Sequence, residues 1–289
     1  MHRAYIAKIV ARLRLLQPAK TSTAPVTCTY CSQQNGESPD FDPNRVLVLS
    51  KTTRYEFEKR RFPDLNDDQL QRLLSKRGSD YGKIYRIHNV HKRNIEKITD
   101  TLEKRKLEYK VVSRNDFTIE EVKKSDAVIA AGGDGTFLLA ASKVFDDTPV
   151  IGVNTDAKRS EGFLALPNKC TVNFEDTLSK LLTGKFKWTW RQRIRVTVEG
   201  GHVNTEPVDL HEEIIGYPEH YDRHHNPKDD SIQDLSPRVL PVFALNEVFV
   251  GESLASRVSY YEVGINDGPI EKQKSSGLTV STGSGSTSW

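Results

Sequence analysis

Ala127-Val128-Ile129-Ala130-Ala131-Gly132-Gly133-Asp134-Gly135-Thr136-Phe137-Leu138-Leu139-Ala140-Ala141 is the stretch on which the fold turns. An unbroken apolar run from Ala127 to Ala131 suits a strand buried on both faces, and the glycines behind it break the chain into a turn that leads to a helix. Glycine allows positive φ and lets a ligand approach the main chain, while Thr136 is placed to cap the helix. Amides exposed at a helix N-terminus suit a phosphate, and Asp134 adds a carboxylate able to orient or deprotonate a hydroxyl. The stretch therefore reads as a phosphoryl-transfer site. The same residues also fit a purely structural strand-to-helix turn with Asp134 as a turn former.

Outward from it, Arg45 to Ser50 is a strand of the same doubly buried kind, Tyr109 to Ser113 is a further strand, and Pro149 to Val153 is another buried one. Helices are expected over 64–76, with Leu65, Leu70, Leu73 and Leu74 on one side, over 88–106, with Ile95, Ile98 and Leu102, and over 119–123 and 137–144. Alternating strand and helix predicts a parallel sheet, with ligands beyond the carboxyl ends of its strands, where Gly132 and Gly152 to Asn154 lie. Val172 to Leu182 predicts an amphipathic helix ended by Gly184, and from there the pattern becomes β, over 188–198, 239–250, 258–265 and 278–281, with Asn266-Asp267-Gly268-Pro269 as a hairpin turn. The expected architecture is an α/β N-terminal domain with a parallel sheet, 44–186, followed by an all-β C-terminal domain, 187–289.

The 289 residues suffice for two domains. No stretch approaches the roughly 20 apolar residues of a membrane span. The net charge of +3 is concentrated at the start, because residues 1–36 hold Arg3, Lys8, Arg12, Arg14 and Lys20 and no acid, leaving the remainder at −2 with nothing that suggests nucleic-acid binding. Ile6, Ile9, Val10, Leu13 and Leu16 recur at helical spacing with Lys8 and Arg12 opposite, which is the makeup of a mitochondrial targeting segment and also fits a basic, frayed N-terminal helix. Residues 1–43 are accordingly assigned to a targeting segment and a Pro/Gly-containing linker. Cys28, Cys31 and Cys170 make no disulfide framework and suggest a reducing compartment; Cys28-Thr29-Tyr30-Cys31 is half of a zinc-ribbon spacing with no second pair. The polar stretch 200–238 carries His202, His211, His220, His224 and His225 without ligand spacing and reads as a surface loop, so no metal ligand is assigned.

Neither a P-loop nor a Rossmann glycine fingerprint is present. What remains is Gly132-Gly133-Asp134-Gly135-Thr136, then Asn246-Glu247 behind Val242-Phe243-Ala244-Leu245, then Gly277 to Trp289. Those blocks in that order resemble the NAD kinase family over most of the chain, from Arg45 to Trp289. Lipid kinases of the diacylglycerol type share the glycine turn but carry Asn-Glu directly behind it, whereas here Phe137-Leu138-Leu139-Ala140-Ala141 follows. The resemblance implies ATP with Mg²⁺ as phosphoryl donor, NAD as acceptor and NADP as product, in a homodimer that binds small-molecule nucleotides. It implies Asp134 as general base toward the 2′-hydroxyl of the adenosine ribose, with Gly132, Gly133, Gly135 and Thr136 at the phosphates. It further implies Asn154 in the dinucleotide loop, Asn246 and Glu247 on a nucleoside of NAD, and Thr287, Ser288 and Trp289 packed against the dinucleotide.

The family's glycine-rich loop stands here as Gly152-Val153-Asn154-Thr155-Asp156 and then Gly162-Phe163-Leu164, with Asp156 in place of a glycine and extra residues between. This variant is similar to the mitochondrial branch of the family, which agrees with the leader and implies the mitochondrial matrix. It makes Lys158 and Arg159 phosphate-binding candidates, a solvated basic pair being the alternative. Family members continue for about a hundred residues past the last block, by the usual size of such two-domain folds. A chain ending at Trp289 is expected to leave strand edges unpaired, and a catalytically silent form that binds nucleotide or full-length subunits is the second expectation.

Overall fold

The computed structural model describes residues 41–156, 159, 162–199, 237–252, 256–266 and 268–286. They fall into two compact units that divide between Thr189 and Trp190.

In the first unit the elements are β1 (Arg45–Ser50), α1 (Arg54–Arg61), α2 (Asp67–Lys76), α3 (Tyr81–Lys104), β2 (Glu108–Val112), α4 (Ile119–Lys123), β3 (Ala127–Ala131), α5 (Asp134–Ser142), β4 (Val150–Val153), α6 (Asn168–Val172) and α7 (Phe174–Leu182). The strands form one sheet in the order β2-β1-β3-β4, every pair parallel, with Val48 opposite Ile129 and Ile129 opposite Ile151. Alternate residues of each strand enter different cores. Val46, Val48, Ile129, Ile151 and Val153 pack under Ile98 and Leu102 of α3 and Phe174, Leu178 and Leu181 of α7. Leu47, Leu49, Val128 and Ala130 face Val122 of α4 and Ala140 of α5 on the other side. Burial on both faces is why these strands read as continuous apolar runs.

Side-chain caps set the starts of α1, α2, α3, α4 and α7. Thr53 and Glu56, and Asn66 and Gln69, form reciprocal capping boxes, so the helix expected from Asp64 begins at Asp67 and Leu65 precedes it. Asp80 caps α3 through the Lys83 amide, so that helix starts well before His88. Its first turns bury Ile84 against Leu70 and Leu74 of α2 instead of the sheet, which is why the sheet-facing stripe shows only from Ile95 onward. The single helix expected over 172–182 is two, parted at Asn173, whose side chain caps α7; Val172 is left 74% exposed, while Gly184 at φ 67° ends α7.

The second unit is all antiparallel. β5 (Ile194–Val198) pairs with β6 (Arg238–Ala244), β7 (Glu247–Val250) with β10 (Leu278–Ser281), and β8 (Ser259–Val263) with β9 (Glu271–Ser275). The strand expected from Trp188 starts at Ile194, because Trp188 packs edge-on with Phe41 and Phe186 in the first unit. The run 239–250 is broken at Leu245-Asn246. β9, Glu-Lys-Gln-Lys-Ser, has no apolar residue to announce it and is held by backbone pairing, with Lys274 lying over the Tyr260 ring. At the hairpin turn Asn266 takes φ 53°, while Asp267 lies outside the described residues, as do 1–40 with Cys28 and Cys31, and the five histidines of 200–238.

Replacing Ile98, 1% exposed beneath α3, by alanine should cost about 2–5 kcal/mol in urea unfolding. Alanine at exposed Val172 should stay within about 0.5 kcal/mol.

Candidate active site

β3 ends at Ala131 and the chain turns at Gly132, whose amide donates to the Val153 carbonyl at 3.0 Å. Gly133 is the N-cap of α5 in an extended conformation, and Asp134 is already the first helical residue. Two expectations are corrected here. None of Gly132, Gly133 and Gly135 has positive φ, and Thr136 is not the cap but sits in the first turn, its amide donating to the Gly133 carbonyl at 2.9 Å. The glycines matter for space instead. A Cβ on Gly132 would collide with the Thr136 hydroxyl and stand 3.0 Å from the Lys51 Cβ, whereas no described residue lies within 4 Å of the corresponding position on Gly133 or Gly135. Gly132 thus lets the loop after β1 close over the turn, and the other two leave room for a ligand.

That room is a cavity of about 220 Å³ whose walls include Lys51, Thr52, Arg114, Gly133, Gly135 and Thr136. The amides at a helix start carry partial positive charge, and with that of Thr136 taken by the Gly133 carbonyl it is those of Gly133 and Gly135 that border the cavity. Lys51 adds a cation whose pKa burial pushes down, with Arg159 lowering it further and Asp156 opposing. Sequence reasoning missed Lys51 and Arg114. Their only local signal is a basic residue just past the carboxyl end of a strand, where a doubly wound sheet binds its ligands.

The Asp134 carboxylate accepts hydrogen bonds from the backbone amides of Phe163, at 3.0 Å to Oδ2, and Leu164, at 2.9 Å to Oδ1. The loop that supplies them is pinned to β4. Leu166 donates to the Gly152 carbonyl at 2.8 Å, and a side chain on Gly152 would press on Ala165 and Phe137. Gly162 turns at φ 65° against the side chain of Asn154. Asn154 itself is fully buried and accepts from the Asp156 amide at 3.0 Å, so it organises this loop from beneath. Asp156, in the family's glycine position, pairs with Arg159 at 3.6 Å, and Lys158 lies outside the described residues.

Behind these loops His91 of α3 is completely buried. Its Nε2 lies 2.9 Å from the Ser50 hydroxyl and its Nδ1 2.9 Å from the Thr155 hydroxyl, and Asn94 donates to the Thr155 carbonyl at 3.0 Å. Burial, with Lys51 nearby, drives the imidazole pKa down to about 3, so the ring is neutral.

In the second unit, β7–β10 pairing sets Glu247 opposite Ser281 and joins the two later sequence blocks. Thr282 donates to the Leu245 carbonyl through its hydroxyl, at 2.7 Å, and to the Asn246 carbonyl through its amide, at 2.8 Å. Gly285 lies directly on the Asn246 backbone, where a Cβ would overlap main-chain atoms. Glu247 Oε2 is buried and has no hydrogen-bond partner among the described residues. Thr287, Ser288 and Trp289 lie outside the described residues. Gly285→Ala should therefore destabilise this unit by about 1–3 kcal/mol in thermal or urea unfolding. Gly283→Ala, with no described residue within 4 Å of the added Cβ, should be close to neutral.

Residues 66–186 match the family described as ATP-NAD kinase N-terminal domain. "NAD kinase 2, mitochondrial" of Rattus norvegicus is 47% identical over 293 residues, covering 98% of this chain and 69% of the relative. The Homo sapiens protein of the same name is 50% identical over 257 residues, covering 86% and 58%. This chain therefore spans between 58% and 69% of the length of these two relatives. Among solved structures, an NAD kinase from Archaeoglobus fulgidus in complex with ATP is similar at a TM-score of 0.47 and 18% identity, covering 85% of this chain and 63% of that one. On the strength of the vertebrate relatives, which match nearly the whole sequence, the chain belongs to the NAD kinase family.

Proposed function

We propose that this chain transfers the γ-phosphate of ATP to the 2′-hydroxyl of the adenosine ribose of NAD, giving NADP, in the mitochondrial matrix. The observation that carries this is the Asp134 carboxylate, held by two amides at the start of α5, the helix whose first turn borders the cation-lined cavity. Each carboxylate oxygen keeps a lone pair beyond its amide bond, so Asp134 accepts the hydroxyl proton without leaving its seat. The ribose oxygen attacks the γ-phosphorus, the bond to the β,γ-bridging oxygen breaks, and ADP leaves with the electron pair. Lys51, Arg114, the amides at Gly133 and Gly135 and the side chain of Thr136 seat the phosphates and offset their charge.

Among the described residues there is no group of three or more His, Cys, Asp or Glu side chains suited to a metal. The Mg²⁺ that the resemblance implies would be brought on the triphosphate, where it would offset phosphate charge. Asn246, Glu247, Thr287, Ser288 and Trp289 serve NAD, as the family resemblance implies, and Asn154 serves it from beneath by organising the loop; the unsatisfied buried oxygen of Glu247 suits a ribose hydroxyl donor. The working form is a homodimer, and residues 1–43 are the targeting segment and linker. Relatives that are NAD kinases over most of the sequence disfavour a lipid kinase sharing only the glycine turn.

Purified protein given NAD, ATP and Mg²⁺ should form NADP, detected by chromatography; none from the wild-type chain would refute the activity. Asp134→Asn should lower kcat about 10²- to 10⁴-fold, and an undiminished rate would refute the base. Because asparagine turns a donor toward one of the two amides, thermal melting of the variant checks that the loop is retained. For the leader, residues 1–40 fused to a fluorescent reporter should direct it to mitochondria, whereas a diffuse cytosolic signal would overturn that assignment.

A further inference from the structure

Along α3 the residues 91, 95, 98 and 102 form one stripe, and its last three members are the isoleucines and leucine that cover the sheet. His91 continues the stripe past the carboxyl ends of the strands. There it meets Ser50, the last residue of β1, and Thr155, two residues beyond the end of β4. An apolar side chain would fill this fully buried position without desolvating a polar ring. An imidazole belongs there only if its two hydrogen bonds matter.

We propose, building on the function above, that His91 is a positioning residue whose two nitrogens hold two walls of the phosphoryl-transfer site independently: Nε2 the wall that carries Lys51, Nδ1 the loop that latches Asp134. The first wall follows directly, since Ser50 precedes Lys51 and Thr52, both of which line the cavity. The second runs from Thr155 to its neighbour Asn154, from the Asn154 side chain to Gly162, and from Gly162 to the amides of Phe163 and Leu164 on Asp134. Asn94, one turn along α3, reinforces the same loop through the Thr155 carbonyl. A neutral imidazole has one donor and one acceptor, and a hydroxyl on each side can take either complementary role. The low pKa keeps the ring in that form at neutral pH, which also removes it from proton transfer.

Side-chain isosteres separate the two nitrogens. The amide nitrogen of glutamine reaches where Nε2 of histidine sits, and that of asparagine where Nδ1 sits. His91→Gln should keep the Lys51 wall and lower kcat roughly ten- to a hundredfold with the ATP KM within about twofold. His91→Asn should instead raise the ATP KM about tenfold and leave kcat within about twofold. Thr155→Val should follow the first pattern and Ser50→Ala the second, and this hydroxyl pair carries the test where a His91 variant does not fold. Rates are taken per folded molecule, from circular dichroism and thermal melting. Variants that lower only the melting temperature, or that shift kcat and KM together in every case, would overturn the proposal. If the wild-type chain forms no NADP, the function fails separately, and ATP affinity by calorimetry still decides about the bridge. His91→Asn and Ser50→Ala should weaken it while His91→Gln does not, and equal affinity in all three would overturn the bridge.

Discussion

Two hydrogen bonds, from the amides of Phe163 and Leu164 to the carboxylate of Asp134, are the constraint around which the first unit is organised. A carboxylate at a helix start is common enough, but one gripped on both oxygens by a loop some thirty residues downstream ties two strand ends together. The loop reaches Asp134 only because Gly152 in β4 has no side chain to hold Ala165 and Phe137 apart. Gly152 lies beside Ala130 of β3 in the parallel register, so the sheet itself measures the distance between turn and loop. A one-residue slip of β4 would send its core residues to the opposite face and the loop anchor with them.

Polar groups collect at the carboxyl ends of the strands because the sheet stops there while the helices continue. Within the sheet, α3 presents Ile98 and Leu102 to apolar strand residues; one stripe position beyond, the same helix presents His91 to hydroxyls. Lys51 occupies an equivalent place after β1, where burial disfavours its charge unless an anion answers it. Apolar residues at these points would make a more stable domain. The chain instead keeps a histidine and a lysine partly or wholly out of water, next to open glycines and a fixed carboxylate. That is a pattern suited to binding and moving a charged group.

Much of this could be read along the chain. The apolar runs at 45–50 and 127–131, the short helix at 119–123 and the glycine turn with Asp134 appear in the structure where residue type and spacing place them. What local pattern could not show was split between caps and distant packing. Asn66 and Asp80 moved helix starts that hydrophobic period alone left vague, Trp188 left a β-like stretch to join an aromatic cluster, and β9 formed with no apolar residue at all. In the site, Lys51, Arg114 and His91 carry no motif. Their roles come from neighbours such as Gly133 and Thr155, far off in sequence.

By itself the sequence determined the class of fold, the position of the phosphate-suited turn, its carboxylate and the family, because these depend on local periodicity, glycine placement and a fixed order of short blocks. Only the tertiary structure decided that the glycines serve space rather than positive φ, that Thr136 packs under Gly132 instead of capping, and that Asp134 is latched from β4's loop. It also decided that Gly285 rests on the Asn246 backbone and that one buried histidine spans two strand ends. The reason is physical: a backbone amide or an imidazole has the same local signature wherever it stands, and its partner is chosen by parallel pairing between strands that are distant in the chain.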